Sequence, residues 1–188
     1  MERQSHLSPD AAAVARTLES CVTQSGKSIV ELSSVSPVLL VFLRHAGCAF
    51  CREALADIAR SRAAIEQGGT RIVLVHMGDI QALQGLLSKH GLSGLDRICD
   101  PTQELYGAFG VKRGTTLQLF GPKVLWRGFL AGVLARYGLG RVRADASQMP
   151  AIFLIENSAI VRRFRHRSAA DRPDYIGLCA RPSAESQC

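Results

Sequence analysis

Residues 38–53 read Val-Leu-Leu-Val-Phe-Leu-Arg-His-Ala-Gly-Cys-Ala-Phe-Cys-Arg-Glu, and this stretch decides the fold. Its first part, Val38–Leu43, is an unbroken apolar run that ends at Arg44, which is typical of a strand buried on both faces of a sheet. Cys48 and Cys51 follow at CxxC spacing, and a helical pattern begins with them. A strand, a tight turn, a CxxC pair and a helix, in that order, indicate a redox-active cysteine pair.

The segments around this stretch predict an α/β fold with a central mixed sheet flanked by helices. Short connections between alternating strands and helices imply parallel strands joined by right-handed crossovers. A hairpin is predicted further along, because two β-type runs flank the turn Glu156-Asn157-Ser158. The predicted strands are Val38–Leu43, Arg71–Met77, Arg97–Pro101, Ala151–Ile155 and Ala159–Arg165, with a short β-rich segment over Lys27–Leu32 and a turn over Ser33–Pro37. The predicted helices are Ser8–Val22, Cys48–Gln67, Asp79–His90, Gln103–Phe109, a helix or helix pair over Pro122–Tyr137, and a last helix from near Arg172 to Cys179.

Length and composition predict one globular domain. The chain has 188 residues, of which 47% are hydrophobic and 21% charged, and this is ordinary globular usage. The expected division is a helical N-terminal extension over 1–26, the main domain over 27–179 and a flexible tail over 180–188. No apolar run approaches the ~18–20 residues of a membrane-spanning helix, and no apolar secretory segment follows Met1, so a cytoplasmic location without a transmembrane segment is expected.

The net charge of +7 comes almost entirely from arginine. A basic excess can serve nucleic-acid binding. No zinc-finger spacing or aromatic-rich RNA-binding pattern accompanies it here. The charge is therefore interpreted as a dispersed, solvated surface, and no nucleic-acid partner is expected.

The chemistry of the CxxC pair depends on its place at the start of a helix. Unpaired backbone N–H groups and the helix dipole favour an anion there, and Arg44, His45 and Arg52 add positive neighbours. We expect Cys48 to be the exposed attacking thiolate. Cys51 lies three residues on and is expected to be the resolving thiol that closes an internal disulfide.

Two other interpretations of these cysteines stay open. His45, Cys48 and Cys51 offer three metal ligands at plausible spacing, but no second CxxC or HxxxH follows to complete a tetrahedral site. The cysteines could also be inert core residues. The pattern favours redox chemistry over both, with no metal and no cofactor expected.

A proline supports the same site from a distance. Met149-Pro150 stands just before the predicted strand Ala151–Ile155, and a proline entering a strand is confined to its first residue, an edge or a bulge. A cis bond before Pro150 is expected, which would make a specific turn.

Four stretches together resemble the peroxiredoxin-like proteins, a thioredoxin-fold branch of the alkyl hydroperoxide reductase/thiol-specific antioxidant (AhpC/TSA) superfamily. The resemblance covers roughly residues 27–178 and rests on 42–53 (Phe-Leu-Arg-His-Ala-Gly-Cys-Ala-Phe-Cys-Arg-Glu), 100–114, 148–155 and 166–174. It implies a thioredoxin-like fold in which the Met149-Pro150 turn faces a redox pair of Cys48 and Cys51. It also implies reduction of a peroxide, or of a protein or small-molecule disulfide, with electrons from an external thiol such as thioredoxin or glutathione. Oligomeric state is left open.

The substrate does not follow from this resemblance. Peroxiredoxins proper carry a proline and a threonine where this chain has Val41 and His45, so the hydroxyl that would position a peroxide is missing. A redox-inactive, thioredoxin-like binding module is the alternative, with the Met149-Pro150 face or the Lys123–Arg136 segment as its contact surface.

Three further polar residues are predicted to be structural. His76, on an apolar strand, is interpreted as a satisfied core or strand-end residue. Asp171 and Asp174 lie near a predicted helix start, where capping explains them.

Overall fold

The computed structural model describes residues 11–44, 48–78, 80–115 and 147–180, and also residues 118, 119, 121, 122, 124 and 126. The helices with described bounds are α1 (Ala11–Ser20), α2 (Ile29–Val35), α3 (Ala49–Gln67), α4 (Ile80–Lys89), α5 (Glu104–Ala108) and α6 (Tyr175–Cys179). The strands are β1 (Val38–Phe42), β2 (Arg71–His76), β3 (Asp96–Cys99), β4 (Ala151–Glu156) and β5 (Ala159–Arg165). Most of the predicted helix over Pro122–Tyr137 and of the tail over 180–188 lies outside the described residues, and the division at 26 and 179 stays a prediction.

β1 lies at the centre of a five-stranded mixed sheet with the order β3-β2-β1-β4-β5. β1 and β3 both pair with β2 in parallel, whereas β4 runs antiparallel to β1 and to β5. The predicted parallel strands, helical crossovers and β4–β5 hairpin are therefore confirmed. Phe42 pairs with Ala151, and this register brings Pro150, which precedes Ala151, to the end of β1.

The side chains of β1 alternate between two hydrophobic clusters, one on each face of the sheet. Leu40 and Phe42 pack with apolar residues of α1, α2 and α5, whereas Leu39 and Val41 pack with those of α3, α4 and α6. All five β1 residues are buried, as an apolar strand covered on both faces requires. Within the described ranges, no helix is both long and apolar enough to cross a membrane.

The predicted β-rich segment over Lys27–Leu32 and turn over Ser33–Pro37 are wrong, because α2 occupies Ile29–Val35. A capping box starts this helix. The Glu31 N–H donates to Ser28 Oγ (3.2 Å), and the Ser28 N–H donates to Glu31 Oε2 (2.6 Å). Two otherwise unsatisfied backbone donors are paired in this way, and that local pairing overrides the β propensity of Ile29 and Val30.

The expected cis bond before Pro150 is also wrong, since none of the described peptide bonds is cis. A trans bond is the lower-energy form of most X–Pro bonds, by about 0.5–1 kcal/mol. The approach of Pro150 to the end of β1 is instead determined by pairing on either side of it. The Met149 N–H donates to Lys112 O (3.2 Å), and Ala151 begins β4.

Candidate active site

Cys48 and Cys51 occupy the N-terminal turn of α3, as predicted. Cys48 is the N-cap residue, with extended backbone angles and no capping hydrogen bond from its side chain. The Arg52 N–H donates to Cys48 O (3.1 Å) and closes the first turn. Residues three apart on a helix share one face, so the two sulfurs lie on the same side of α3.

Arg44 contacts both cysteines. Its Nη1 donates to Cys48 Sγ (3.4 Å), and its backbone N–H donates to Cys51 Sγ (3.3 Å). Its Nε donates to the carbonyl of Gln148 (2.9 Å), on the segment that leads into β4. The predicted neighbour Arg44 thus joins the cysteine pair to the residues before Pro150.

These contacts favour the thiolate form of Cys48. The pKa of Cys48 is lowered from an ordinary 9.0 to about 6, first by a hydrogen bond from the Cys51 thiol. Burial opposes this shift, whereas the Arg44 charge and the N–H groups of Cys51 and Phe50 support it. Donors that point at the sulfur from a helix N-terminus stabilise an anion there. A pKa near 6 makes the thiolate the main form at neutral pH.

The expected exposure of Cys48 is wrong. Cys48 is 8% exposed and Cys51 is 5% exposed. Arg44, whose Nη1 donates to Cys48 Sγ, is itself 5% exposed.

Met149 and Pro150 lie beside the cysteines, as predicted. Buried Met149 belongs to a small hydrophobic cluster that contacts Phe50, the residue before Cys51. Pro150 lines a cavity together with Arg44 and Cys51. Gln148 anchors this loop, because its Nε2 donates to Val111 O (2.8 Å) while its own carbonyl accepts from Arg44.

Of the two remaining predicted neighbours, His45 lies outside the described residues. Arg52 lies in the first turn of α3, and a role for its side chain stays a prediction. Among the described residues, no group of three or more His, Cys, Asp and Glu side chains could hold a metal ion.

Several residues around the site were not predicted to belong to it. The cavity of about 30 Å³ beside Cys51 is also lined by Asp57, His166 and Arg172. Arg172 donates to Asp57 through Nε and Nη2, each at 2.5 Å, and so connects the segment before α6 to α3. No sequence signal indicates this pair, because its members are 115 positions apart.

The three polar residues predicted to be structural have mixed outcomes. Asp174 caps α6 by accepting from the Gly177 N–H (2.9 Å), and Asp171 accepts from the N–H groups of Arg167 and Ser168. The capping role of Asp174 is confirmed, whereas Asp171 binds the backbone of the preceding loop and the capping predicted for it is wrong. His76 is buried at the end of β2, but its Nε2 has no partner among the described residues. Its predicted place at a strand end is confirmed, and its Nδ1 has hydrogen bonds with the Gly78 backbone, so the prediction is wrong only for Nε2.

Comparison with known proteins identifies the family. Residues 57–170 match the family model described as AhpC/TSA antioxidant enzyme, and this is more than half of the chain. The match begins after Cys51, so it includes Met149 and Pro150 but neither cysteine of the pair. No curated protein matches the chain.

Solved structures share the fold at low sequence identity. Peroxiredoxin Q of Xanthomonas campestris has a TM-score of 0.57 at 13% identity, over 82% of this chain and 85% of that one. The peroxidoxin BcpB of Mycobacterium tuberculosis has a TM-score of 0.54 at 15% identity, over 80% and 82%. A secreted disulfide oxidoreductase of M. tuberculosis, homologous to E. coli DsbE, has a TM-score of 0.51 at 16% identity, over 81% and 86%.

The fold, the family match and the CxxC at a helix start agree with the resemblance seen in the sequence. The chain belongs to the AhpC/TSA antioxidant enzymes and is a thiol-dependent oxidoreductase with a thioredoxin-like fold.

Proposed function

We propose that the protein reduces a small peroxide through Cys48 and is then oxidised to an internal Cys48–Cys51 disulfide. The observation that carries this proposal is the contact of Arg44 with both sulfurs. It is joined by the lowered pKa of Cys48, for which the Cys51 thiol is the first cause. Two inert core cysteines have no need of a buried guanidinium.

The first step is attack of the Cys48 thiolate on one oxygen of the peroxide. The S–O bond forms and the O–O bond breaks, so that sulfur loses two electrons and becomes a sulfenic acid. The second oxygen leaves as hydroxide or alkoxide and takes a proton from water. The positive charge of Arg44 beside Cys48 favours this departure, because it lies where negative charge develops.

The second step is attack of Cys51 on the oxidised Cys48 sulfur. An external thiol such as thioredoxin or glutathione then returns the disulfide to two thiols by exchange. Burial of Cys48 to 8% exposure supports a small peroxide over a protein disulfide as the oxidant, because a protein disulfide needs an open sulfur. The same argument favours a small thiol such as glutathione over thioredoxin as the reductant.

Thiol mapping by mass spectrometry after stoichiometric hydrogen peroxide tests the proposal. We expect a Cys48–Cys51 bridge in the wild type, a trapped Cys48 sulfenic acid in Cys51→Ser, and neither in Cys48→Ser. Cys99→Ser is the matched control, since Cys99 is exposed and lies outside the CxxC pair. First oxidation at Cys99, with Cys48 left reduced, would contradict the proposal.

A turnover assay tests the reductant. Peroxide consumption is followed with a thioredoxin system and, separately, with a glutathione system. Turnover with a small disulfide but not with peroxide would show that the protein is a disulfide reductase and not a peroxidase.

A further inference from the structure

His166 lies just after β5 and lines the same cavity as Cys51. It is largely buried, and its Nδ1 has no hydrogen-bond partner in the part of the chain that the structure describes. Its ring packs edge-on against Phe164, with centroids 4.9 Å apart. A buried ring nitrogen without a partner costs free energy, so this nitrogen is a candidate for a functional role.

The ring can hold a proton on one nitrogen and a lone pair on the other. The Pro150 backbone raises the pKa of His166 as a hydrogen-bond acceptor, and proline has no N–H, so its carbonyl is that acceptor. Nδ1 has no partner among the described residues, so for the relay we assign the proton to Nε2 and the lone pair to Nδ1. Burial is the first cause that lowers the pKa of His166, to about 4, which keeps the ring neutral at physiological pH.

One cavity is lined by both His166 and the resolving cysteine, Cys51. Its volume of about 30 Å³ holds one or two water molecules, since each needs roughly 10–15 Å³. On the other side, His166 and Pro150 also line a groove of about 360 Å³. His166 thus stands between the thiol of Cys51 and an open surface groove.

Cys51 must lose a proton when the disulfide closes. Its hydrogen bond to the Cys48 thiolate ends once that sulfur is oxidised, and at 5% exposure Cys51 has little direct contact with bulk water. We propose that His166 relays the Cys51 proton, through a water molecule in the shared cavity, to the group that leaves Cys48. This inference rests on the proposed function of the pair.

With this relay, every bond and proton in the closing of the disulfide is accounted for. Cys51 Sγ attacks the sulfenic sulfur of Cys48, the S–S bond forms, and the S–O bond breaks. The oxygen leaves as hydroxide and receives the proton that Cys51 gave up, so that the products are the disulfide and water. Nδ1 of His166 accepts and returns that proton, and the ring is unchanged at the end.

Charged and titratable groups face His166 from several elements. On the cavity side they are Arg44 after β1, Glu53 and Asp57 on α3, Asp171 and Arg172 before α6, and Tyr175 on α6. On the groove side they are Lys112, Arg113 and Arg165. Asp171 raises the pKa of His166 and Arg44 lowers it, and burial outweighs both.

His76 is the competing relay. Its Nε2 also has no partner among the described residues, and it lines a second cavity beside Cys51. That cavity is only about 10 Å³, at or below the roughly 10–15 Å³ that one water needs. The larger cavity and the groove beyond it favour His166.

The test measures the two oxidation steps separately in the full chain. Sulfenic acid formation at Cys48 is followed by trapping, and disulfide closure by loss of the trappable species. His166→Gln keeps an amide donor for Pro150 O but lacks Nδ1, whereas His166→Phe keeps the ring packing and lacks both nitrogens. We expect both to form the sulfenic acid at the wild-type rate. We expect closure to slow by about 100-fold, the lower end of the general acid–base range.

The pH profile separates proton transfer from packing. Wild-type closure is expected to be flat around neutral pH. In both variants it should rise about tenfold per pH unit, because Cys51 must then ionise unaided. His76→Gln is the matched control and should leave the rate and profile of closure unchanged.

Three results would overturn the relay: wild-type closure in His166→Gln, slowing in only one of the two His166 variants, or equal slowing in His76→Gln. Far-ultraviolet circular dichroism establishes that each variant is folded. If Cys48 itself does not react with peroxide in the wild type, the proposed function fails, and this outcome is distinct from failure of the relay.

Discussion

Arg44 Nη1 donates to the sulfur of Cys48 at 3.4 Å, and both residues are buried. A guanidinium stays charged at all physiological pH values and is only weakly hydrated, so it can stabilise an anion away from water. The same residue donates its backbone N–H to Cys51 and its Nε to Gln148. Through its backbone and its side chain, this one residue thus contacts both cysteines and the segment that precedes Pro150.

Replacing Arg44 should raise the pKa of Cys48. We expect Arg44→Met to raise it by about one unit, since a neighbouring opposite charge typically shifts a pKa by about 1–3 units and is here the second of the favourable causes, after the Cys51 hydrogen bond. The pH dependence of iodoacetamide alkylation at Cys48 gives the measurement. Arg71→Gln removes an equal charge from the surface pair with Asp96 and should change nothing. An unaltered Cys48 pKa in Arg44→Met would exclude the electrostatic role.

The hydrogen bond from Cys51 should matter more than the charge of Arg44, because it is the first cause of the lowered Cys48 pKa. Cys51→Ala removes this donor, whereas Cys51→Ser replaces it with a hydroxyl. We therefore expect the Cys48 pKa to rise further in Cys51→Ala than in Arg44→Met, and to rise less in Cys51→Ser. The same alkylation titration measures all three. Equal pKa values in the serine and alanine variants would contradict this order.

Cys48 should make the reduced protein more stable as pH rises from about 6 to 9. Its pKa is about 6 when folded and 9.0 ordinarily, so between these values the unfolded chain binds more protons and the free energy of unfolding increases with pH. The gain is complete above 9 and is lost as pH falls through 6. Urea unfolding with reductant present, compared with Cys48→Ser, isolates a difference on the order of a few kcal/mol. If the free energy of unfolding depended on pH in the same way in the wild type and in Cys48→Ser, this prediction would be refuted.

His166 should make the stability of the fold depend on pH in a second range, which lies below that of Cys48. Its pKa falls from 6.5 to about 4 on folding, so the unfolded chain again binds more protons between these values. Stability is then fully present above 6.5 and declines as pH falls toward 4, by roughly 3 kcal/mol. We expect His166→Gln to lose less stability than the wild type over this range in the same urea experiment. If both proteins lost the same unfolding free energy at acid pH, other groups would be responsible for the pH dependence.

The ion pair between Asp57 and Arg172 should stabilise the wall of the cavity. Asp57 is buried and accepts hydrogen bonds from both Arg172 and Arg60. Asp57→Asn therefore weakens both pairs and is expected to cost about 1–3 kcal/mol in unfolding free energy. Glu66→Gln is the control, because it breaks the exposed pair with Arg62 on the same helix and should cost about 0.5 kcal/mol or less. Hydrogen exchange should also quicken over residues 168–175 in Asp57→Asn alone. Equal costs in the two variants would contradict the assignment.

The parts of the fold predicted correctly from the sequence depend on local periodicity. The apolar run of β1, the start of α3 at the CxxC and the β4–β5 hairpin each have a period or turn signal of their own. Lys27–Leu32 was predicted wrongly because β propensity was weighed there without the capping box of Ser28 and Glu31.

The site was predictable where its residues are neighbours in sequence. Arg44, Cys48 and Cys51 lie within one short stretch, and their mutual contact followed from the strand–turn–helix pattern. Gln148 is 104 positions from Arg44, and the cavity joins residues of β1, α3 and the segment before α6. Such contacts arise from sheet register, which a single sequence does not reveal. The burial of Cys48 was likewise not predictable, because it depends on tertiary packing.

The contact between Arg44 and Cys48 gives the two ends of the catalytic cycle different local charge. In the reduced protein the guanidinium faces a thiolate, and the two charges cancel. After the disulfide closes, the negative charge is gone while the positive charge of Arg44 stays in the same buried place. The oxidised pair is therefore an electropositive target, and the species that must attack it, the thiolate of a reductant, is an anion. If the proposed cycle holds, the residue that activates Cys48 toward the oxidant also attracts the thiolate that reduces the disulfide.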